Sequence, residues 1–288
     1  MRAIYQRELT SYFNSISGYI FGAFLLLFAG IYCMAYNLQA SYVSFEYVMG
    51  SMSFVFLVIV PVLTMRVLAE ERRQKTDQLL YSLPLTMTKV VLGKFFAMLS
   101  VFVIPLLIIS LYPIILSSYG NVHLLTAFCA IAGFFLLGAS LLAIGMYISS
   151  VTESQAVAAG LCFIVMLVNY FIADLAGSVP DTAFASFSAF IVVALIICMV
   201  IYLMTKHSLV TLVTAVVLCG TIFILYTKDA TAFEGLFGDV LSELSLFERF
   251  YGFIEGIFDL TSVVYYIAVT AVFLYLSVQS LEKRRWSE

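Results

Sequence analysis

The chain has 288 residues, of which 63% are hydrophobic and 11% are charged, and its formal net charge is −3. A mean hydropathy of +1.08 excludes the amino-acid composition of an ordinary soluble protein. It predicts an all-α polytopic membrane protein with one membrane domain over residues 1–288. The five cysteines lie inside apolar runs without CxxC or metal-ligand spacing. We therefore interpret them as packing residues rather than disulfides or metal ligands.

Residues 1–16 are predicted to form a helix that lies on the cytosolic leaflet. Tyr5, Leu9, Tyr12 and Ile16 recur at helical spacing and give the segment one apolar face. The apolar run that follows, 17–36, is longer than the core of a typical signal peptide, and no small-x-small cleavage site comes after it. We expect it to be a retained first transmembrane helix.

A charged stretch follows the second apolar run, which extends from Tyr47 to Leu68 and contains Pro61. This stretch, residues 69–88, is too charged to be part of a membrane-spanning helix. Its first half is expected to continue the arriving helix and carries two acidic and three basic residues: Glu70, Glu71, Arg72, Arg73 and Lys75.

A second, short helix is predicted from Asp77 to Leu83, with Thr76 as its N-cap and Asp77 at its positive end. Pro84 restricts the residue before it to extended conformations and so ends the helix. One side of the helix carries three leucines that form an apolar knob: Leu79, Leu80 and Leu83. From the residues alone, the stretch is either an exposed amphipathic turn or a cytosolic loop whose charges set the topology.

The central part of the chain is a long uncharged region. No Asp, Glu, Lys or Arg occurs from Phe95 to Thr152, and one helix of that length would cross about three bilayer cores. The chain must therefore turn, and residues 117–123 carry the turn signal. A further break is expected at 149–155. The pattern predicts about eight spans, or six if the apolar pair at 186–227 is a hairpin. The predicted helices here are 91–116, 124–150, 155–175, 186–205 and 208–227.

Residues 229–260 have a different character. Apolar positions recur at helical period from 233 to 258, with acidic residues between them. The four glycines in this segment argue for two short helices, which should lie in the membrane interface rather than cross it. The last apolar run, Thr261 to Leu281, ends in a basic anchor with Trp286.

The distribution of positive charge predicts that both termini are cytosolic. With eight helices and the N-terminus inside, only Lys228 and Arg249 fall on the outer side. Lys89 and Lys94 mark the inner interface, where their stems are expected to snorkel. The cytosolic cations are Arg2, Arg7, Arg66, Arg72, Arg73, Lys75, Lys89, Lys94, Lys206, Lys283, Arg284 and Arg285.

The sequence MRVLAEERRQKTDQLLYSLPLT, residues 65–86, resembles the segment after the second membrane helix in permease subunits of ABC-2-type transporters, especially the gliding-motility and copper-maturation branch. The shared pattern is a Met-Arg, an acidic pair, a Gly-Thr, a Leu-rich turn and a Ser-Pro, with Lys75 here in place of the Gly. The stretches LSLFERFYGFIEGIFDLTSVVYY and SLEKRRW resemble the C-terminal end of the same family. The likeness covers both ends and most of the chain.

This resemblance implies an ABC-2 permease fold, like that of type V exporters, with both termini inside. It implies that residues 69–88 dock into a groove on a cytosolic ABC ATPase subunit. The transporter would have two such subunits, which would bind the ATP and Mg. A second copy of this chain or a homologous permease would complete the transporter. The implied ATPase-coupling residues are Glu70, Glu71, Arg72, Arg73, Thr76, Asp77, Leu79, Leu80, Leu83 and Pro84.

In such a transporter, residues 229–260 would cap the extracellular end of the pathway. The alternative is a solvated loop whose helical spacing is incidental. The residues expected to form this extracellular gate are Phe237, Leu241, Leu244 and Phe247.

The chain carries few signals for chemistry of its own. No GxxxxGK[ST] motif occurs, because Gly93-Lys94 lacks the upstream glycine. We therefore expect that this chain neither binds a nucleotide nor acts as an enzyme. His123 and His207 are predicted at opposite membrane surfaces, which argues against a shared metal. The basic clusters are too few to suggest nucleic acid.

Three functions remain open. The centres of the apolar runs carry no ionisable residue except cysteines and tyrosines, which disfavours an ion-coupled secondary transporter. The favoured function is the permease subunit of an ATP-driven exporter in a bacterial cytoplasmic membrane, with an unidentified substrate. The other alternative is a non-transporting scaffold that couples an ATPase to an envelope or motility machine.

Overall fold

The computed structural model describes residues 1–74, 86–178, 180–205, 208–229 and 231–285. All regular secondary structure in these ranges is helical, which confirms the predicted all-α class. The α-helices are α1 Arg2–Asn14, α2 Ile16–Cys33, α3 Glu46–Met52, α4 Phe56–Thr64, α5 Ala69–Arg73, α6 Met87–Ile109, α7 Leu111–Ser117, α8 Leu124–Val151, α9 Gln155–Ser178, α10 Ala183–Thr205, α11 Ser208–Lys228, α12 Leu236–Leu244, α13 Leu246–Ile254 and α14 Leu260–Arg285. A π-helical turn, Met34–Gln39, extends α2.

Six stretches within the described residues are long and apolar enough to cross a membrane. A seventh is added if the bent pair Leu212–Lys228 and Thr231–Leu244 counts as one span, whereas Ala183–Ile196 of α10 is a shorter apolar helix. The lower predicted number, six, matches these stretches, and eight stays a prediction. In chain order the six spans are Ile16–Gln39, Glu46–Arg73, Met87–Ser117, Leu124–Val151, Gln155–Ser178 and Leu260–Arg284.

The predicted interruptions of the apolar runs are present. The gap between α7 and α8 coincides with the predicted turn at 117–123, and the gap between α8 and α9 lies inside the predicted break at 149–155. The third span is also interrupted at Ser110, between α6 and α7. The turn signals in the sequence therefore locate the ends of these helices.

The second span is interrupted twice. A 3-10 turn, Ser53–Val55, separates α3 from α4, and a turn at residues 65–68 separates α4 from α5. Pro61 lies buried inside α4, where its ring removes one intrahelical N–H, so the helix depends on packing against its neighbours. The second interruption positions α5, which opens the charged stretch.

The chain folds into two compact units. Unit 1 is Met1–Val168 together with Arg249–Glu288, and unit 2 is Asn169–Glu248.

Aromatic side chains form the centre of unit 1. Phe56 of α4 stacks on Phe134 of α8, with ring centroids 4.4 Å apart, and meets Phe102 of α6 edge-on at 5.7 Å. Phe21 of α2 and Phe250 of α13 extend the cluster at 6.2 Å from Phe102 and 6.0 Å from Phe134 respectively. Offset and edge-on contacts of this kind stabilise the packing beyond the area they bury.

Helix α8 packs closely in unit 1 because glycines lie at its contacts. A Cβ at Gly138 would lie 2.5 Å from the ring of Phe102, and one at Gly145 would lie 2.5 Å from the hydroxyl of Thr64. Small residues let membrane helices approach each other in this way. The fourth span is accordingly the one against which the second and third spans pack.

Unit 2 contains a helical hairpin and a short amphipathic helix. Phe187 of α10 stacks on Tyr226 of α11 at 4.4 Å, so these two helices pack against each other. The predicted division of residues 233–258 into two short helices is confirmed, because α12 ends at Leu244 and α13 begins at Leu246. Ser245 stands between them, and its hydroxyl oxygen accepts the N–H of Glu248 at 3.1 Å. This is an N-cap, so the break results from capping rather than from a glycine.

Candidate functional site

The charged stretch begins at α5, and α8 supplies the cap for this short helix. The backbone N–H groups of Leu68 and Ala69 donate to Ser149 Oγ at 3.2 and 3.1 Å. The Ser149 hydroxyl in turn points at the Met65 carbonyl, 3.5 Å away. Donors at the start of a helix have no partner within it, so one serine of the fourth span satisfies the groups that the break in the second span exposes.

Arg72 makes a second connection from α5 to the fourth span. Its Nη1 donates to the carbonyl of Thr152 at 3.2 Å, and the residue is only 8% exposed. Thr152 is the C-cap of α8, where a cation is favoured by the negative end of the helix dipole. Two contacts therefore hold α5 against the C-terminal end of α8.

Lys94 of α6 is a buried cation at the centre of a group of charges whose other members are partly exposed. Its ammonium nitrogen is 2.8 Å from Glu71 Oε1, 3.1 Å from Glu8 Oε1 and 3.0 Å from the Val67 carbonyl. Lys94 is 1% exposed, and its ammonium donates hydrogen bonds to Glu8 and to the Val67 carbonyl and forms an ion pair with Glu71. The predicted snorkelling of Lys94 is wrong, because these acceptors satisfy its charge inside the protein.

Arg7 completes this group, which we call the four-charge cluster: Arg7, Glu8, Glu71 and Lys94. Arg7 Nη2 donates to Glu8 at 2.8 Å and to Glu71 at 2.9 Å. Burial alone would raise the pKa of the Glu8 carboxyl, but the charge of Lys94 and the hydrogen bonds from Arg7 and Lys94 outweigh it and hold that pKa below its ordinary value. The structure thus brings two basic and two acidic side chains into contact.

Helix α1, which carries Arg7 and Glu8, packs along α6. Ile4 is buried with Val90 and lies against Gly93, where a Cβ would come within 3.1 Å of it. The Tyr5 hydroxyl is 2.9 Å from Ser100 Oγ. A helix is thus present at the predicted N-terminal position, and its residues Ile4 and Tyr5 contact the third span, whereas Ile16 of the predicted apolar face begins α2.

Four of the predicted ATPase-coupling residues lie in the described part of the chain, and they form two groups that differ in their contacts. Glu71 and Arg72 contact other parts of unit 1, so they would have to give up these contacts to pair with a partner at its rim. Arg73 is exposed, and Glu70 makes local contacts with Arg66 at 3.4 Å and with Gln74 at 3.3 Å. The remaining predicted residues lie outside the described part of the chain: Thr76, Asp77, Leu79, Leu80, Leu83 and Pro84.

The predicted extracellular gate residues have different surroundings in unit 2. Phe237 meets Phe190 of α10 edge-on at 5.1 Å, whereas Phe247 meets Tyr170 of α9 at 5.0 Å and is 1% exposed. Leu241 is half-buried, and Leu244 is 52% exposed. The two aromatic rings therefore anchor α12 and α13 to different helices.

An apolar groove of about 310 Å³ lies between the third, fourth and sixth spans. Phe95 and Phe96 of α6, Phe135 of α8, and Tyr266 and Ile267 of α14 are among its walls. The Thr270 hydroxyl in the groove donates to the Tyr266 carbonyl at 2.8 Å. The walls of this groove thus suit hydrocarbon rather than a polar molecule.

Sequence reasoning missed the contacts that hold the charged stretch in place. It assigned Lys94 to the membrane interface and gave no role to Glu8 or Ser149. A lysine inside the apolar start of the third span was a signal for Lys94, because a charge placed there requires a partner. Nothing local distinguishes Ser149 from the neighbouring Ser150.

Comparison with known proteins gives a match to one protein family over nearly the whole length of the chain. Residues 3–286 match the model of the family described as ABC-2 family transporter protein. A comparison with curated proteins found no match. Members of the matched family are multi-pass membrane components that generally work with ABC ATPase subunits. On this match, and on six apolar helices in an all-α chain, the protein belongs to the ABC-2 transporter family.

Proposed function

We propose that this chain is the membrane subunit of an ATP-driven exporter, with the energy supplied by a separate ATPase subunit. The family match over residues 3–286 is the observation that carries the proposal. A bacterial cytoplasmic membrane is the proposed location. The proposed assembly has two ATPase subunits and two membrane halves, the second half being another copy of this chain or a similar permease.

Residues 69–88 are the proposed ATPase-coupling region. The apolar knob of Leu79, Leu80 and Leu83 would fill a groove on the ATPase, with exposed charges such as Arg73 at the rim. The contacts at the start of this region support the proposal. Because α5 is bonded to Ser149 and Thr152, a displacement of the coupling region would be passed directly to the fourth span.

The proposed role of α12 and α13 is an extracellular cap over the pathway. The proposal is supported by the amphipathic pattern of the two helices and by the ring contacts of Phe237 and Phe247, which are made with two different helices. Each ring would then hold one end of the cap in place.

The decisive experiment uses Leu80→Asp in the coupling region. Truncating a buried interface anchor costs about 2 kcal/mol or more, whereas a rim charge contributes about 0–1 kcal/mol. We therefore expect Leu80→Asp to release the ATPase or uncouple its turnover from transport, while membrane insertion stays normal. The matched control Lys75→Ala should co-purify with a stoichiometric ATPase.

The proposal is wrong if Leu79→Asp, Leu80→Asp and Leu83→Asp all retain a coupled, stoichiometric ATPase, because the stretch would then be only a charged topology loop. Stimulation of ATP hydrolysis by a transported substrate would separate the exporter from a scaffold that uses the same ATPase.

A further inference from the structure

The four-charge cluster joins three parts of the chain that are distant in sequence. Arg7 is 64 residues from Glu71, and Glu8 is 86 residues from Lys94, yet these side chains meet within 3.1 Å. Glu71 belongs to α5, the start of the proposed coupling region. The cluster therefore ties that region both to α1 and to the third span.

Lys94 is the residue on which these connections converge. Its ammonium group donates a hydrogen bond to the carbonyl of Val67, which lies in the break before α5. It also forms an ion pair with Glu71, which lies within α5. It thereby contacts both sides of the hinge-like turn at 65–68. Its third bond goes to Glu8 of α1, so the angle of α5 and the position of α1 are set by the same ammonium group.

A need for stability alone does not account for this arrangement. Charges taken out of water lose hydration, and replacing a buried ionic group by apolar residues of similar volume is often neutral or stabilising. What such a group adds is a defined geometry, because each bond has a short length and a direction. An apolar contact between α1 and α5 would allow sliding that the bonds of Lys94 prevent.

We propose that Lys94 is a positioning residue that makes α1, α5 and the start of α6 move as one body during ATP-driven transport. Displacement of the coupling region then reaches the third span through Lys94, and it reaches the first span through α1, which leads directly into α2. This inference rests on the proposed function, since it requires an ATPase that displaces residues 69–88.

Two variants separate positioning from folding. Lys94→Met alone removes the cation that lies between Glu8 and Glu71, so a loss of yield is expected. The triple variant Glu8→Gln, Glu71→Gln and Lys94→Met removes two negative charges and one positive charge, and its side chains keep nearly the same volumes. It should insert as the wild type does, and its binding of the ATPase should match that of Glu71→Gln alone, which is compared because Glu71 lies in the proposed coupling region. Lys89→Met, an exposed lysine on the same helix, is the matched control.

The measurement is the distance between spin labels at Thr10 of α1 and Gln74, both of which are exposed. The labels are introduced after the five native cysteines are replaced, and the chain is reconstituted with its ATPase in the nucleotide-free and the ATP-vanadate-trapped states. The wild type and Lys89→Met should show one narrow distance that is the same in both states. The triple variant should lose this single distance, and ATP hydrolysis should continue without transport.

An unchanged, narrow distance in both states of the triple variant would overturn the role of Lys94 while leaving the proposed function intact. A wild-type chain that binds no ATPase would overturn both, so the two failures are distinguishable.

Discussion

Replacing Ser149 by alanine should loosen the start of the proposed coupling region without altering the rest of the fourth span. The change removes one oxygen, and with it the acceptor of the backbone N–H groups of Leu68 and Ala69. Both residues are buried, at 2% and 0% exposed, so water does not readily replace that oxygen. The perturbation therefore leaves two donors without a partner at the break before α5.

The structure sets the size of the effect. Leaving a buried donor unsatisfied costs about 1–3 kcal/mol. Both hydrogen bonds share one acceptor and are at the long end of the usual range, at 3.2 and 3.1 Å. We therefore take the lower part of the range for each bond and expect a total of about 2–3 kcal/mol.

Hydrogen exchange of the purified protein measures this cost locally. For a peptide covering residues 65–74, amide exchange should accelerate by roughly one to two orders of magnitude in Ser149→Ala, since each 1.4 kcal/mol is tenfold. Ser150→Ala is the matched control, because Ser150 is equally buried and its hydroxyl donates only to the Tyr147 carbonyl of its own helix. If both variants exchanged alike over this peptide, the capping role of Ser149 would be refuted.

Two further predictions concern the four-charge cluster and the topology. Because the pKa of Glu8 lies below its ordinary value, its contribution to holding α1 is complete above the unfolded carboxyl pKa of about 4.3 and is lost as the pH falls through its lower folded value. The distribution of distances between spin labels at Thr10 and Gln74 should therefore broaden on acidification, and Glu8→Gln should remove this dependence on pH. If the distribution broadened at the same pH in Glu8→Gln, the role given to Glu8 would be contradicted. For topology, a cysteine at Asn121 should react with an impermeant reagent added from outside, whereas one at Gln74 should not, and external labelling at Gln74 would reverse the orientation.

Much of the architecture was predictable because its causes are local. The turn at 117–123 follows from the hydrocarbon thickness, which an uncharged run of that length exceeds several times over. The division of the segment from 233 to 258 was also predicted, although the capping hydroxyl of Ser245 produces the break that the glycines had suggested. The family resemblance likewise rested on residues 65–86 and on two short stretches near the C-terminal end, and the match over residues 3–286 agrees with it at the level of the family.

The number of spans could not be decided from hydropathy. An apolar helix such as α10 satisfies its side chains equally well by crossing a bilayer or by packing in a hairpin, as the ring of Phe187 does on Tyr226. Hydropathy measures the removal of side chains from water, which is the same in both cases.

The sequence by itself determined which segments leave water and where the chain must turn, because those outcomes depend on the transfer of neighbouring residues from water to hydrocarbon. Only the tertiary structure decided which polar groups meet inside. Lys94, Glu8 and Glu71 are far apart in the chain, and a lysine beside the membrane can reach water as readily as it can reach a carboxylate. The choice between these two outcomes is made by the packing of α1 against α6, which closes off the water and brings the carboxylates within hydrogen-bonding distance.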